Sequence, residues 1–440
     1  MDYTPHTDGD VASMLDTIGV TSIEDLFSQI PSSLRLGREL DLPDQLTESE
    51  VTDLVTQIAA KNIPTDSLRC FAGGGAYDHY IPAVVRSVAY RSEFVTSYTP
   101  YQPELSQGVL GALFEYQTMI CELSGMEVAN ASLYDGAAAL VEAVNLAVGA
   151  TGRNKIVVTE ALNPNYRKVL ETFGAGIGLN FVTAPAPRGR TEPAAIDDAA
   201  CLILAQPNFF GCIEDVGAVA TQVHAAGALM VVHMDPLAMG TLEAPGKLGA
   251  DVVTGEGQSL GNDLNFGGPY LGIFATTMEH VRRVPGRICG QTVDVAGKLG
   301  FVLTLQAREQ HIRREKANSN VCTNQTLMAI VATVYLAWLG PQGLVELGET
   351  CSARAAHAAE LLASVPGCSL VFEAPFFKEF VLRLPRPAEQ VLSDLSERGY
   401  LAGPAVVLAD GSEGIIVAVT ERRTLEQIEG FAKALAEVVA

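Results

Sequence analysis

Leu229-Met230-Val231-Val232-His233-Met234-Asp235 and, further on, Asp251-Val252-Val253-Thr254-Gly255-Glu256-Gly257-Gln258-Ser259-Leu260-Gly261 are the stretches whose reading decides the fold. Each begins as a short apolar run bounded by turn residues, the pattern of a strand buried on both faces. The first strand, Leu229 to His233, closes on the carboxylate of Asp235; the second, Asp251 to Thr254, closes on the turn Gly255 to Gly261. A carboxylate at the end of a buried strand, beside a sharp turn on the next, is how an α/β sheet holds a protonated pyridine ring. Pyridoxal-phosphate chemistry also needs a lysine there, because the amine must reach the cofactor aldehyde. The turn contains none, and the position expected for it, 24 residues after the aspartate, is Ser259. The stretch reads as a cofactor fold without its covalent anchor.

The preceding segments support such a sheet. Tyr134-Asp135-Gly136-Ala137 opens an alanine-rich helix to Ala150, and the free N–H groups at its start around Gly136 could hold an anion. The simpler alternative is that Asp135 caps the helix, its carboxylate occupying those donors and repelling a phosphate. A strand at Lys155 to Thr159, a helix through Asn165 to Phe173, strands at Leu179 to Thr183 and Cys201 to Ala205, and a helix from Asp215 to Ala226 follow. This alternation predicts a mostly parallel sheet covered on both faces. Ligands then gather at the carboxyl ends of its strands, where Gln206, Asn208, Asp235 and the Ser259 turn would meet. Asp135, Gly136, Asp235 and Ser259 together form a candidate vestigial cofactor site. A dinucleotide reading of Gly255-x-Gly257-x-x-x-Gly261 fails because such a loop must open a helix, and Asn262 to Pro269 cannot make a stable one. No other lysine takes the missing role easily: Lys155 begins its strand, Lys247 precedes the next, and Lys298 and Lys316 lie far beyond.

The chain has 440 residues, 48% of them hydrophobic, enough for one large core and a smaller one. Three parts are expected: an N-terminal helical arm at 1–65, a large α/β domain at 66–325, and a linking helix with a small C-terminal α+β domain at 326–440. In the arm, Val11, Met14, Leu15 and Ile18 recur at helical spacing before Gly19, and Thr21-Ser22-Ile23-Glu24 has the form that opens another helix. The C-terminal part reads as an apolar helix from Thr326 through Trp338, strands at Val371-Phe372, Phe380 to Leu384 and Gly414 to Val419, and a capped helix from Thr424 to Ala440. The net charge of −22 argues against nucleic acid as a partner. The first ten residues are polar and acidic, and no apolar run approaches the ~20 residues of a membrane span, so a cytoplasmic protein is expected. The eight cysteines show neither Cys-x-x-Cys pairs nor a histidine spacing suited to zinc, which predicts free buried thiols and no metal site.

Three further stretches carry polar groups with no role in a core. Phe71-Ala72-Gly73-Gly74-Gly75-Ala76-Tyr77 lets the backbone adopt dihedrals closed to other residues and lets another group approach closely, or is simply a turn before a helix begun near Pro82. Ser97-Tyr98-Thr99-Pro100-Tyr101-Gln102-Pro103-Glu104 is an irregular loop stiffened by two prolines. Tyr98, Tyr101, Gln102 and Glu104 are candidates for lining a pocket, the alternative being a surface loop whose tyrosines pack at an edge. Between Arg282 and Lys316 eight basic residues stand against three acidic ones. A solvated helix with pairs such as Glu309 to Arg313 accounts for part of this excess. The remainder points to an acidic partner surface or a substrate carboxylate, with His311, Arg313, Arg314 and Lys316 as the contacts.

Phe71 to Val85, Glu93 to Ser124, Asn130-Ala131-Ser132-Leu133-Tyr134-Asp135-Gly136, Asp251 to Ala275 and Arg308-Glu309-Gln310-His311-Ile312-Arg313-Arg314-Glu315-Lys316 together resemble the P-protein, or glycine decarboxylase, of the glycine cleavage system, in the first subunit of its split form. The resemblance covers most of the chain and its motifs are long. It implies the aspartate-aminotransferase type of fold, pyridoxal-phosphate fold type I, shared by two homologous halves of which only the second carries the cofactor lysine. Ser259 is consistent with the first half. The implied partners are that second, cofactor-bearing subunit, glycine and the lipoyl H-protein, with two copies of each subunit. The partner would decarboxylate glycine and pass the aminomethyl group to the lipoyl disulfide. This chain would complete the pocket with the Tyr98 to Glu104 loop. Two other classes stay open at this stage: an autonomous pyridoxal-phosphate enzyme using an unrecognised lysine, and a scaffolding pseudoenzyme with no share in the active site.

Overall fold

The computed structural model describes residues 5–408 and 411–440. Met1–Ile63 and Pro64–Ala440 are separate units. In the first, Thr7 caps helix Asp8–Ile18, which ends on Gly19 in the left-handed conformation (φ 84°), and Thr47 with Glu50 forms the capping box of helix Glu48–Ala59. The cap forms one residue later than the sequence suggests, Ser22 with Asp25, whose carboxylate also accepts from the Thr21 N–H, and it opens only a five-residue 3₁₀ turn, Ile23–Phe27. No described residue of this unit is buried.

The second unit is built on strands β1 (Arg69–Ala72), β2 (Val128–Ala129), β3 (Lys155–Thr159), β4 (Asn180–Ala184), β5 (Ala199–Gln206), β6 (Leu229–Met234), β7 (Val252–Glu256) and β8 (Gly272–Thr276). Seven of them form one sheet in the order β2-β8-β7-β6-β5-β3-β4, parallel from β7 through β4, with β8 and β2 antiparallel at the edge. Alternate residues of β5 enter opposite cores: Leu202 and Leu204 pack on the face covered by helix Gln107–Ser124, and Cys201 and Ile203 on the face covered by helix Gly136–Thr151. That double covering explains why these strands are apolar throughout. The chain reverses its direction of travel across the sheet between β3 and β5, which opens a crevice at their carboxyl ends. Register pairs Met234 with Gly255 and so sets Asp235 beside the turn after β7.

A hairpin with a buried base and an exposed tip, β9 (Ile288–Val293) and β10 (Leu299–Thr304), precedes the long helix Thr326–Ala363. This helix is long and apolar enough to cross a bilayer. It kinks at Gly340 ahead of Pro341, however, and splits its buried residues between Met328, Ile330 and Tyr335 in one core and Ala355, Ala358 and Leu362 in another, as an internal helix does. Beyond it lie β11 (Ser369–Leu370), β12 (Glu379–Arg383), β13 (Tyr400–Gly403), β14 (Ala405–Val407) and β15 (Glu413–Ala418), with β11-β12-β15-β14 forming an antiparallel sheet. The strand expected at Val371-Phe372 falls two residues earlier, since the Phe372 ring leaves the ladder to pack on Phe210 at 5.1 Å.

β1, near the start of this unit, pairs with β13 rather than with the large sheet, and Phe71 stacks on Phe431 at 4.3 Å in the C-terminal core. Truncating Phe71 to alanine should therefore lower stability by about 3–5 kcal/mol in urea unfolding. A loss under 1 kcal/mol would mean that β1 is not part of that core.

Candidate functional site

At the crevice between β3 and β5 the carboxyl ends of the strands converge on a small cavity lined by Asn163, Tyr166, Asn208, Asp235, Glu256 and Ser259, among others. Ser259 is 3% exposed and shares this cavity with Asp235. Gln206 does not join them: its side chain turns away to the backbone of Glu214, while Asn208, which lines the cavity, also holds Gly189 and Glu214. His233, buried and bonded to the Thr254 hydroxyl at 3.0 Å, is held neutral, its pKa pulled by burial down to about 4.

Asp235 is already paired. The Lys378 ammonium lies 2.6 Å from its Oδ2, 3.1 Å from His79 Nε2 and 3.7 Å from the centre of the Tyr77 ring. Lys378 is 1% exposed. The next residue, Glu379, accepts from the Tyr77 hydroxyl at 2.8 Å and from the Gly74 N–H at 3.0 Å, and burial outweighs these bonds to push its pKa up to about 7. Here the glycine run has its physical reason: a Cβ on Gly73 would stand 2.5 Å from the Glu379 carboxylate. Sequence reasoning weighed four lysines and missed this one. The signal was present in Phe376-Phe377-Lys378-Glu379-Phe380, where two charged residues interrupt an apolar run and so require buried partners.

The helix start is filled as well. Asp135 Oδ1 accepts from the Ala138 N–H at 2.7 Å, the capping alternative, and Glu256 Oε2 accepts from the Gly136 N–H at 2.9 Å. Gly136 permits that approach, because a Cβ there would meet His233 at 2.9 Å and Glu256 at 3.1 Å. Burial raises the Glu256 pKa to about 8 despite its N–H donors from Gly136 and Leu271.

These residues do not fit pyridoxal phosphate. The carboxylate that would hold the pyridine nitrogen is bound to an ammonium, the donors that would hold the phosphate are taken by two acidic side chains, and a hydroxyl stands where the amine is needed. The cavity that remains is about 60 Å³, well below the roughly 300–1,000 Å³ of small-molecule pockets. His79, Cys351 and Glu421 offer donor atoms within 4.8 Å of one another, a grouping the sequence reading did not foresee. Both imidazole nitrogens of His79 are engaged, by Glu421 at 2.7 Å and by the Lys378 ammonium, which places a cation there already.

The aromatic loop lies elsewhere. Tyr98, Gln102 and Glu104 are exposed, whereas the Tyr101 hydroxyl accepts from Arg287 Nη2 at 3.1 Å and its ring lies 6.2 Å from that of His311. The structure thus joins one residue of each expected group. Arg287, also missed, is 2% exposed and donates on its other side to Asn324, which in turn holds Ser132 at 2.9 Å. The expected helix around Arg313 is a four-residue turn, Gln310–Arg313. Glu309 does not pair with Arg313: its carboxylate is buried, 3.9 Å from His311. Arg313 and Lys316 border a second cavity, and Arg314 is exposed with a left-handed φ of 57°.

This arrangement of sheet, flanking helices and C-terminal lobe is that of pyridoxal-phosphate fold type I. Sphingosine-1-phosphate lyase of Burkholderia pseudomallei shares the fold at 14% identity, with a TM-score of 0.66 over 93% of this chain and 94% of that one. Residues 1–435 match the family model described as glycine cleavage system P-protein, and the chain belongs to that family. It is 49% identical to the probable glycine dehydrogenase (decarboxylating) subunit 1 of Thermomicrobium roseum and 47% identical to that of Desulforamulus reducens, with all of both chains covered in each case. A crystal structure of glycine decarboxylase (P-protein) in inhibitor-bound form matches it at 46% identity, a TM-score of 0.92 and full coverage of both chains.

Replacing Lys378 by methionine strands the largely buried Asp235 charge and should cost about 3–5 kcal/mol, most of it recovered when Asp235 is also changed to leucine; equal losses in the single and double variants would mean that the pair is not coupled. Glu256, raised from an ordinary 4.5 to about 8, is protonated in the fold while still ionised in the unfolded chain across that window, so its share of stability is lost as pH rises from 4.5 to 8. Glu256→Gln should flatten that part of the unfolding profile, and an unaltered slope would rule the assignment out.

Proposed function

We propose that this chain is the pocket-completing subunit of a two-chain glycine decarboxylase and carries no cofactor of its own. The observation that bears most weight is the Lys378–Asp235 contact of 2.6 Å beside Ser259, which fills the chain's strand-end site with its own side chains. On this reading pyridoxal phosphate is held covalently by a second, homologous subunit, there supplying the electron sink for loss of the glycine carboxylate. The aminomethyl group then passes to the lipoyl arm of an H-protein. Exposed Tyr98, Gln102 and Glu104 are offered to the partner's pocket. Tyr101, clamped by Arg287, and the two prolines hold the loop so that little ordering entropy is lost on assembly. The basic segment at His311, Arg313, Arg314 and Lys316 is offered to an acidic partner surface or a substrate carboxylate. We place the assembly, two copies of each subunit, in the cytoplasm.

Lys378 is the lysine an autonomous enzyme would need to recruit, and its ammonium is committed to Asp235 and His79. Treating the purified chain with pyridoxal phosphate and borohydride should therefore leave every lysine unmodified at stoichiometric cofactor; a fixed adduct, with decarboxylase activity of the chain alone, would establish the autonomous reading instead. In the co-expressed complex, Tyr98→Phe with Glu104→Gln should slow glycine–bicarbonate exchange about tenfold to a hundredfold while assembly is retained. Unchanged exchange would leave only a scaffolding role.

A further inference from the structure

We infer that Arg287 is a positioning residue for the reaction, acting through Tyr101 to fix where the Tyr98 to Glu104 loop stands, and that Asn324 in turn fixes Arg287. The inference rests on the reading of that loop as part of the partner's pocket. From Ser97 to Gln102 the backbone hydrogen bonds are local: Ser97 N–H to the Phe94 carbonyl, Tyr101 N–H to the Thr99 carbonyl, and Leu105 N–H to the Gln102 carbonyl. Among the described residues, the 3.1 Å bond from Arg287 Nη2 to the Tyr101 hydroxyl is the one hydrogen bond that ties this span to another element. The same guanidinium lies 5.1 Å from the centre of the Tyr101 ring, so ring and hydroxyl both bear on it.

The energetics of Arg287 point to this role rather than to stability. It is 2% exposed, and its side-chain partners among the described residues are neutral: Nη1 donates to Asn324 Oδ1 at 2.9 Å and Nη2 to Tyr101. A buried cation answered only by neutral groups contributes little net stability, because it gives up its hydration without a counter-charge. An apolar side chain would fill the space as well, so what the arginine adds is the direction of its forked donors. Asn324 holds that direction with all its polar capacity used. Its Oδ1 accepts from Arg287 and from the Thr326 hydroxyl at 3.1 Å, and its Nδ2 donates to the Ala131 carbonyl at 3.1 Å and to the Ser132 hydroxyl at 2.9 Å. The Ser132 hydroxyl also accepts from the Gln325 N–H at 3.1 Å, and the Ala131 N–H donates to the Arg287 carbonyl at 2.8 Å. Ser132 has a φ of 131°, which a residue with a Cβ rarely adopts, and these bonds hold it there. The segments around Ser132, Arg287 and Asn324 are thereby locked together, and a single hydroxyl pins the loop to them.

Removing the guanidinium strands neither acceptor, since the Asn324 oxygen keeps Thr326 and the half-exposed Tyr101 can turn its hydroxyl to water. The test compares Arg287→Met, Tyr101→Phe and the double variant. Amide hydrogen exchange is followed in the isolated full-length chain, and glycine–bicarbonate turnover in the co-expressed complex. Amides of the Tyr98 to Glu104 loop should exchange about tenfold faster in each variant, with β5 and β6 as protected as in the parent. Each single variant should slow turnover about tenfold, and the double variant should lose no more than either, because both changes remove the same bond. Tyr101→Phe alters only a half-exposed hydroxyl and keeps the test informative if Arg287→Met fails to fold. The proposal is overturned if loop protection is unaltered, if the two losses multiply in the double variant, or if turnover is unaffected. Unaffected turnover beside a slowed Tyr98→Phe, Glu104→Gln variant removes the positioning role alone; beside an equally unaffected one, it removes the pocket reading as well.

Discussion

The ion pair between Asp235 and Lys378 is the contact on which the rest of the second unit turns. Asp235 follows the central strand β6, and Lys378 precedes β12 in the C-terminal lobe, so one 2.6 Å contact joins the large sheet to the small one. A buried pair of this kind contributes little net stability, because two desolvation costs offset the attraction, but it strongly penalises any arrangement that separates the partners. Its neighbours are arranged to the same end. The Tyr77 ring lies against the ammonium, Glu379 ties Tyr77 to Gly74, and Asp78 holds Arg423 at 3.0 Å. The crevice where an α/β fold ordinarily takes a ligand is in this chain a polar seam between lobes.

Two consequences follow for the chemistry of that seam. Its carboxyl groups are not equivalent: Asp235 has a cation at contact distance, whereas Glu256 and Glu379 are answered mainly by N–H and hydroxyl donors and are raised by burial to about 8 and about 7. Burial therefore favours the protonated forms of Glu256 and Glu379, and ionising either costs stability because it leaves a charge in a buried site. Space is equally limited, because side chains of both lobes take the volume and donors that a ligand would use. Exposed polar side chains are found instead on the Tyr98 to Glu104 loop and the turn around His311, with buried Arg287 bracing the first from beneath.

Much of the sheet was legible because its strands are buried on both faces and its helices carry local stop signals. Apolar runs at Leu229–Met234 and Val252–Glu256, glycines closing helices at Gly152 and Gly178, and the Thr424 cap are all written in nearest-neighbour terms. So was the choice of Asp135 as a cap. The sequence also carried the family, since its motifs are long and continuous.

Tertiary structure alone decided which distant residues meet. Lys378 reaches Asp235 across the lobe boundary, Glu256 bonds to Gly136 from another strand end, and β1 leaves its sequence neighbours to pair with β13. None of these contacts has a periodicity or a spacing to announce it, because each depends on how separately formed elements pack. Composition and local pattern determined that this chain builds a cofactor-type sheet without a lysine in the expected turn; the fold determined what occupies the site instead, because a buried carboxylate must find a partner and only three-dimensional proximity supplies one.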